Sequence, residues 1–197
     1  MNLEPPSTDS RGVMRRKRRR QILDELLVLR GQGGDPEALR GLVEVMQPRL
    51  MAHAWHLTGD AEAAADAVQE AWVAIVKGLR RLQDPARFRS WALKIVTFKC
   101  RDWIRRAQSG RRLAEGLAQE QALREGAPPA PTEEVDSVLS MREAIAALQP
   151  DRKALLSMFY LEEMSVRDIA TALSIPAGTV KSRLFHAREK LRTLLEE

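Results

Sequence analysis

The sequence contains very little cysteine and few aromatic residues. Its 197 residues include a single cysteine, Cys100, and aromatic side chains make up 5% of the chain. One thiol cannot form an internal disulfide, so a disulfide-stabilised extracellular scaffold is excluded and a reducing compartment is favoured. We expect Cys100 to be a buried, unreactive thiol, as most unpaired cysteines are.

Long apolar runs are also absent. Apolar residues make up 44% of the chain, which is enough for a core, but no run approaches the roughly 18 residues that cross a bilayer. The basic residues near the N-terminus are not followed by an apolar stretch, as they would be in a secretory signal. We therefore expect a cytoplasmic protein that makes no membrane contact of its own.

The chain has no excess of positive charge outside its first 23 residues. The net charge is +5, and residues 1–23 hold seven basic and two acidic side chains, whereas the remaining 174 residues hold 25 of each sign. Locally, residues 84–112 carry nine basic and two acidic groups, residues 113–136 one and six, and residues 164–197 six and four. Two basic segments flanking an acidic one indicate local rather than overall affinity for phosphate.

The alternation typical of β-strands is missing, and helical periodicity replaces it. One apolar stripe begins after Asp35 and ends at the sequence Thr58-Gly59-Asp60, where Asp60 is suited to cap the next helix. A second stripe follows from Ala64 to Leu79, and a third helix is predicted over residues 85–106. Residues 126–131 contain three prolines and cannot be helical.

These patterns predict an all-α fold of two small helical domains joined by a flexible linker. We expect a disordered basic tail over residues 1–23 and a first domain over residues 24–107. An acidic linker rich in Pro, Ala and Gly is predicted over residues 108–134, with some helix near its start. The second domain, residues 135–197, is expected to contain a helix-turn-helix.

The helix-turn-helix is predicted over residues 165–195. Ser165 can cap the first helix, with Asp168 in its first turn, and Pro176 suits the first turn of the second helix. One face of that second helix is apolar, and the other presents polar, basic and aromatic side chains, as a helix lying in the major groove of DNA does. The candidate duplex-contacting residues are Thr179, Lys181, Ser182, Arg183, Phe185 and His186.

Two further faces lie in the first domain. On the second helix Asp66, Gln69, Glu70 and Val73 share one side, which alone would be explained by solvation. On the third helix basic residues lie beside aromatic ones, a combination that suits unpaired nucleic acid because cations bind phosphates and rings stack on bases. Its candidate contacts are Arg87, Phe88, Trp91, Lys94, Arg101 and Arg105. Phe98 and Trp103 lie on the adjoining apolar arc; the alternative for Trp91 and Trp103 is a place in the core, which is the favoured interpretation for Trp103.

Four strings carry a resemblance to a known family: DAVQEAW (66–72), FRSWALKI (88–95), RDWIRR (101–106) and GTVKSRLFHAREKL (178–191). Over residues 35–107 and 135–195 the chain resembles the extracytoplasmic-function sigma factors of bacterial RNA polymerase. Members often have glycine where this chain has Ser174, so we expect a turn made without a positive φ. Asparagine is frequent in place of Phe98, and arginine in place of His186.

The resemblance implies a role for each face. The face with Asp66, Gln69, Glu70 and Val73 would bind core RNA polymerase, the third helix would hold the unpaired −10 strand, and the helix-turn-helix would read the −35 duplex. It also implies an anti-sigma factor as a partner and no enzymatic activity, cofactor or metal.

Two alternatives stay open. A stand-alone helix-turn-helix regulator would not bind polymerase and would give the face around Asp66 no function. A nuclease would need a metal, which His53 and His56 could share only if a third ligand lay nearby.

Overall fold

The computed structural model describes the backbone of residues 10–125 and 141–196, and the side chains of residues 21–109 and 143–196. All regular elements in these ranges are helical, as predicted. The N-terminal half, residues 10–125, contains helices α1 to α4, and the C-terminal half, residues 141–196, contains α5 to α8. Their bounds are α1 Ser10–Gln32, α2 Pro36–Thr58, α3 Ala61–Gly78, α4 Phe88–Glu125, α5 Met141–Ala146, α6 Pro150–Leu156, α7 Val166–Leu173 and α8 Ala177–Glu196.

The boundaries of α2 and α3 follow from their capping residues. The Asp35 carboxylate accepts hydrogen bonds from the backbone N–H groups of Glu37 and Ala38. Gly59 ends α2 in a left-handed conformation with φ of 72°, which glycine adopts at little steric cost. Asp60 then caps α3 by accepting from the Ala63 N–H at 2.7 Å. Each such cap stabilises a helix by about 1 kcal/mol.

Helix α1 is longer than the sequence suggests. It begins at Ser10, so the disordered tail predicted for residues 1–23 is wrong for residues 10–23; residues 1–9 lie outside the described part. Arginine and lysine have high helix propensity, and the buried side chains of Asp24 and Val28 anchor the helix to the rest of the bundle. The basic run of residues 15–20 therefore extends, toward the N-terminus, a helix whose later turns pack against the bundle.

Helix α4 also extends beyond its predicted end. A 3₁₀ turn over Pro85–Arg87 precedes it, with the Asp84 carboxylate accepting from the Ala86 N–H. The helix then runs from Phe88 to Glu125, through the first part of the predicted linker of residues 108–134. The proline-containing stretch of that linker lies outside the described residues.

The helix-turn-helix is formed by α7 and α8, and its first cap is as predicted. The Ser165 hydroxyl accepts from the Asp168 N–H at 3.1 Å and donates to the Asp168 carboxylate at 2.6 Å. The expectation about the turn is wrong, because Ser174 adopts a left-handed conformation with φ of 56°. Its N–H bonds to the carbonyl groups of Ala170 and Thr171, which satisfies the end of α7. A left-handed serine costs about 1–2 kcal/mol, and the closure of α7 offsets this.

The two halves pack against each other. Helices α6 and α7 contact α2 and α4, and a π-helical segment, Ser157–Leu161, lies beside α2. Buried apolar residues of both halves form one continuous cluster, in which Leu42 and Leu93 come from the first half and Met158 and Ile169 from the second. A contact surface between the predicted domains is therefore part of the fold.

We predict that glycine and alanine at position 174 differ in stability. Ser174→Gly and Ser174→Ala both remove the hydroxyl, but only alanine keeps a Cβ in the left-handed region. The Ser174→Gly variant should therefore be more stable by about 1 kcal/mol. Urea denaturation followed by circular dichroism measures the difference, and an alanine variant of equal or greater stability would contradict the strain assigned to this turn.

Candidate polymerase and DNA interfaces

The acidic face predicted on α3 is exposed to solvent. Asp66, Gln69, Glu70 and Val73 are all exposed, while the opposite side of α3 is buried through Ala67, Val68, Ala71 and Ile75. Glu70 accepts from the Lys99 ammonium group at 2.9 Å, and this neighbouring cation lowers the pKa of the Glu70 carboxyl. The face is thus accessible and backed by the core, and α4 supplies a cation at its edge.

Of the two aromatic residues predicted to contact the −10 strand, one is buried and the other is partly exposed. Phe88 is fully buried, so it cannot stack on a base in this structure. Trp91 is only partly exposed; its ring centroid lies 6.2 Å from that of Phe88, and a Cβ at Gly78 would lie 2.9 Å from its Cζ2 atom. Both rings fill the junction where α3, the 3₁₀ turn and α4 meet, because the first turn of α4 faces the bundle.

Phe98 is the exposed aromatic residue of this helix. It is 45% exposed, with the Lys94 Nζ 5.9 Å and the Arg101 guanidinium carbon 5.8 Å from its ring centroid. The three side chains form a cation–aromatic cluster, the arrangement expected for unpaired nucleic acid. The apolar periodicity of the sequence places Phe98 on the apolar arc, but the i, i+4 and i, i+7 spacing of Lys94, Phe98 and Arg101 also indicates that the ring lies among cations.

The remaining basic candidates on this side are exposed. Arg87 bonds Asp84 at 3.1 Å, and Arg105 bonds Asp102 at 2.6 Å, both within one turn. Exposed pairs of this kind contribute at most about 1 kcal/mol. Either arginine can therefore exchange its carboxylate for a phosphate at little cost.

Helix α8 has the two-sided character predicted for it. Val180, Leu184 and Ala187 are buried, whereas Lys181, Ser182, Phe185 and His186 are exposed. Phe185 is 55% exposed, and its ring meets the His186 ring edge to face at 5.6 Å. Thr179 and Arg183 are partly buried at the sides of this surface. The exposed side chains combine donors with an apolar ring, as direct readout of base edges requires.

His53, one of the two histidines that a metal site would need, is hydrogen-bonded to two hydroxyl groups. The Thr97 hydroxyl donates to the Leu93 carbonyl, so it accepts from His53 Nε2–H at 2.9 Å. This leaves His53 Nδ1 to accept from the Ser157 hydroxyl at 2.8 Å. Burial lowers the pKa of His53 from 6.5 to about 3, so the ring is neutral. Within the described residues, no group of three His, Cys, Asp or Glu side chains is placed to hold a metal ion.

Cys100 is buried, as expected. Burial raises the pKa of its thiol to about 12, so the reactive thiolate is not populated near neutral pH.

Comparison with known proteins identifies both halves. The sequence model of sigma-70 region 2 matches residues 42–110, and that of sigma-70 region 4 matches residues 139–191. The ECF RNA polymerase sigma factor SigL of Mycobacterium tuberculosis is 31% identical over 160 residues, which cover 81% of this chain and 89% of SigL. The chain belongs to the ECF sigma factors. It is an alternative sigma factor that binds core RNA polymerase and directs it to promoter DNA.

A second relative and a solved structure match over most of their own length. The RNA polymerase sigma-H factor of Pseudomonas aeruginosa is 28% identical over 186 residues, covering 89% of this sigma factor and 95% of its relative. Among solved structures, CnrH in complex with the cytosolic domain of CnrY has a TM-score of 0.64 at 22% identity, covering 88% and 97% of the two chains. In the part of this sigma factor that the structure describes, no helix is long and apolar enough to cross a membrane.

We predict that His53 makes the stability of this sigma factor depend on pH. Because its pKa is about 3 in the folded state and about 6.5 in the unfolded state, the unfolded state binds more protons between these values. The free energy of unfolding should therefore fall as pH drops through 6.5, with a loss of about 2 kcal/mol between pH 7 and pH 5.

The glutamine variant isolates this contribution. His53→Gln cannot ionise, so its free energy of unfolding should change by about 2 kcal/mol less over the same pH interval, a range above that in which carboxylates titrate. Urea denaturation at each pH measures both proteins, with His56→Gln as the control for a histidine that is only partly buried. Parallel pH profiles for the wild type and His53→Gln would contradict the assignment.

Proposed function

We propose that this sigma factor uses three separate surfaces: the acidic face of α3 for core polymerase, the middle of α4 for the unpaired −10 strand, and the exposed side of α8 for the −35 duplex. The observation that carries this proposal is the segregation of chemistry among the three. Carboxylates are concentrated on α3, cations surround an exposed ring on α4, and donors beside an aromatic ring project from α8.

The α3 face is suited to a basic protein surface. Asp66 and Glu70 supply negative charge, Gln69 supplies an amide, and Val73 and Val76 are each about half exposed beside them. An apolar strip flanked by charge is the usual composition of a protein interface, in which charge fixes orientation and apolar area supplies affinity. We assign Asp66, Gln69, Glu70 and Val73 to the core-binding surface.

The Lys94–Phe98–Arg101 cluster is suited to a single strand with unstacked bases. The two cations are placed to bind successive phosphates, and the Phe98 ring offers a stacking surface worth about 1–3 kcal/mol per base. Arg87 and Arg105 extend the basic track toward the two ends. Phe98 therefore replaces Phe88 as the base-stacking residue in this proposal, and Trp91 has a supporting position beneath the track.

The α8 surface is suited to duplex DNA. Lys181 and Ser182 are donors for base edges or phosphates, and Phe185 can contact a thymine methyl group. His186 is exposed and has a smaller reach than an arginine. Thr179 and Arg183 flank these residues and are placed to contact the DNA backbone.

Partners and location follow from this assignment. The chain contributes specificity, and the chemistry of RNA synthesis belongs to the polymerase core in the cytoplasm. CnrH was solved with the cytosolic domain of CnrY, and RpoE of Bartonella quintana with the anti-sigma factor NepR. By analogy, we propose that an anti-sigma factor also binds this chain.

Charge reversal on α3 tests the core-binding surface. The Asp66→Lys, Glu70→Lys double variant should bind core polymerase at least about tenfold more weakly, because like charges then face each other across the interface. Affinity is measured by titrating core polymerase into labelled sigma factor. Run-off transcription on a library of randomised promoters then tests the whole function and returns the sequences that are read.

The matched control changes the same charges elsewhere. Glu37→Lys with Glu44→Lys reverses two exposed carboxylates on α2 and should leave core affinity within about twofold of the wild type, a difference below 0.5 kcal/mol. If both double variants behave alike, the α3 face is not the core-binding surface.

Substitution of Phe98 tests −10 readout. In holoenzyme, Phe98→Ala should weaken binding to a promoter fork with an unpaired −10 strand by roughly 5- to 150-fold, the equivalent of 1–3 kcal/mol of stacking. Phe98→Tyr keeps a ring and should bind almost as well as the wild type. Fluorescence anisotropy with labelled fork DNA measures this, and equal affinity of the alanine variant and the wild type would remove Phe98 from the site.

A further inference from the structure

A cation of α4 is bound to the acidic face of α3. Lys99 Nζ lies 2.9 Å from Oε2 of Glu70, and Arg106 Nη2, two turns further along α4, lies 3.9 Å from Oε1 of the same carboxylate. Glu70 is therefore tethered to a second helix, on the face that the proposed function gives to core polymerase. The sign of this charge needs an explanation, because a lysine beside the face opposes the approach of a basic partner.

Lys99 is more restrained than a lysine on an open surface. Its side chain is 32% exposed, and Val96 and Cys100 beside it on α4 are buried in a cluster that also contains Ala67 of α3. The aliphatic stem of a lysine packs along such apolar surface while the ammonium group stays in contact with water. Lys99 therefore leaves the helix at the edge of the α3–α4 contact, where its ammonium group meets Glu70.

The Glu70 carboxylate keeps the capacity to bind a partner. An ionised carboxylate offers about four acceptor sites, of which the Lys99 bond uses one. The Arg106 separation of 3.9 Å is too long for a hydrogen bond. The Glu70 side chain is 46% exposed, so it can accept hydrogen bonds from another protein while it stays bound to Lys99.

A fixed carboxylate is an advantage in binding. Ordering a long side chain at an interface has a cost in conformational entropy, which is smaller when the side chain is already held in its bound orientation. Asp66 lies one turn before Glu70 on the same side of α3, and like charges at this spacing repel each other. The bond to Lys99 restrains Glu70 before a partner arrives and offsets part of this repulsion.

We propose that Lys99 is a positioning residue of the core-binding surface, which holds the Glu70 carboxylate in the orientation that core polymerase binds. Arg106 supports the same carboxylate from a greater distance. The inference rests on the proposed function, since it requires that Glu70 contacts core polymerase. The alternative is a lysine that only neutralises part of the face, and the two roles predict opposite effects when the cation is removed.

Lys99→Met tests the sign of the effect, because it removes the cation and keeps a long unbranched side chain. A positioning role predicts that this variant binds core polymerase on the order of fivefold more weakly, the equivalent of ordering one long side chain on binding. Neutralisation alone predicts tighter binding, because the face becomes more negative. Lys99→Arg keeps a cation and should bind within about twofold of the wild type.

A double-mutant cycle tests whether Lys99 acts through Glu70. Glu70→Gln should weaken core binding, and adding Lys99→Met to it should cause no further loss. Lys77→Met is the matched control: Lys77 is exposed, lies seven positions after Glu70 on α3 and undergoes the same change of charge. This control should bind at least as tightly as the wild type. Titration of core polymerase into the labelled full chain measures each affinity, and circular dichroism confirms that each variant is folded.

The cycle separates the positioning role from the proposed function. Weaker binding of Lys99→Met that disappears in the Glu70→Gln background supports the proposal. Unchanged or tighter binding of Lys99→Met overturns it. An equal loss in the Glu70→Gln background also overturns it, because Lys99 would then contact the polymerase itself, and so does an equal loss in Lys77→Met, because any nearby cation would then suffice.

The single variants show which assignment fails. If Glu70→Gln binds core polymerase as well as the wild type, the assignment of Glu70 to the core-binding surface is wrong, and the role of Lys99 is overturned with it. If Glu70→Gln is weakened and Lys99→Met is not, the core-binding surface stands and only the positioning role of Lys99 is overturned.

Discussion

The relative position of the two halves depends on a carboxylate that is removed from water. Glu162 is nearly inaccessible, and a buried charge is tolerated only when opposite charges and hydrogen bonds replace its hydration. Here those partners come from two helices of the other half, Arg89 on α4 and Arg49 on α2. Satisfying Glu162 therefore places the C-terminal half against α4, and the contacts of Asp151, Ser157 and Ser174 follow from that placement.

The same constraint explains why protein groups contact the basic surface that we propose for nucleic acid. A guanidinium group binds a carboxylate and a phosphate with similar geometry. Arg101 bound to Asp151, and Lys94 bound to Ser174, therefore meet protein oxygen atoms at the positions that the proposed function gives to phosphates. The pairs are partly exposed, with 29% of the Arg101 side chain accessible, so their loss costs much less than the loss of the Glu162 pairs.

Local features could be predicted from the sequence because their causes are local. Asp60 and Ser165 cap helices through bonds to residues three positions away, and such signals are present in any short window. Phe88 was expected to contact DNA and is buried, whereas Phe98 was placed on the apolar arc and is exposed. Both rings fit a helix face beside cations, and only the packing of α3 and the 3₁₀ turn decides which of them is buried. At Ser174 the frequent glycine of the family was taken to mean that a serine excludes a positive φ. The cost of a left-handed serine, about 1–2 kcal/mol, is within what the turn can offset. The contact of His53 with Ser157 joins residues 104 positions apart in the chain, so the local periodicity of the sequence does not predict it.

The contact between the two halves combines directional polar interactions with a non-directional apolar contribution. Apolar residues of both halves form one continuous cluster, so separation exposes apolar surface at roughly 25 cal/mol per Å². A cleft of about 560 Å³ lies beside the Glu162 contacts, lined by residues of both halves that include Arg89 and Asp168, so the halves are not closely packed at this edge. The polar contacts therefore determine how the two halves are oriented, while the apolar contacts supply much of the stability of this arrangement. A partner that covers the apolar surface exposed on separation can replace the apolar contribution without reproducing the polar contacts.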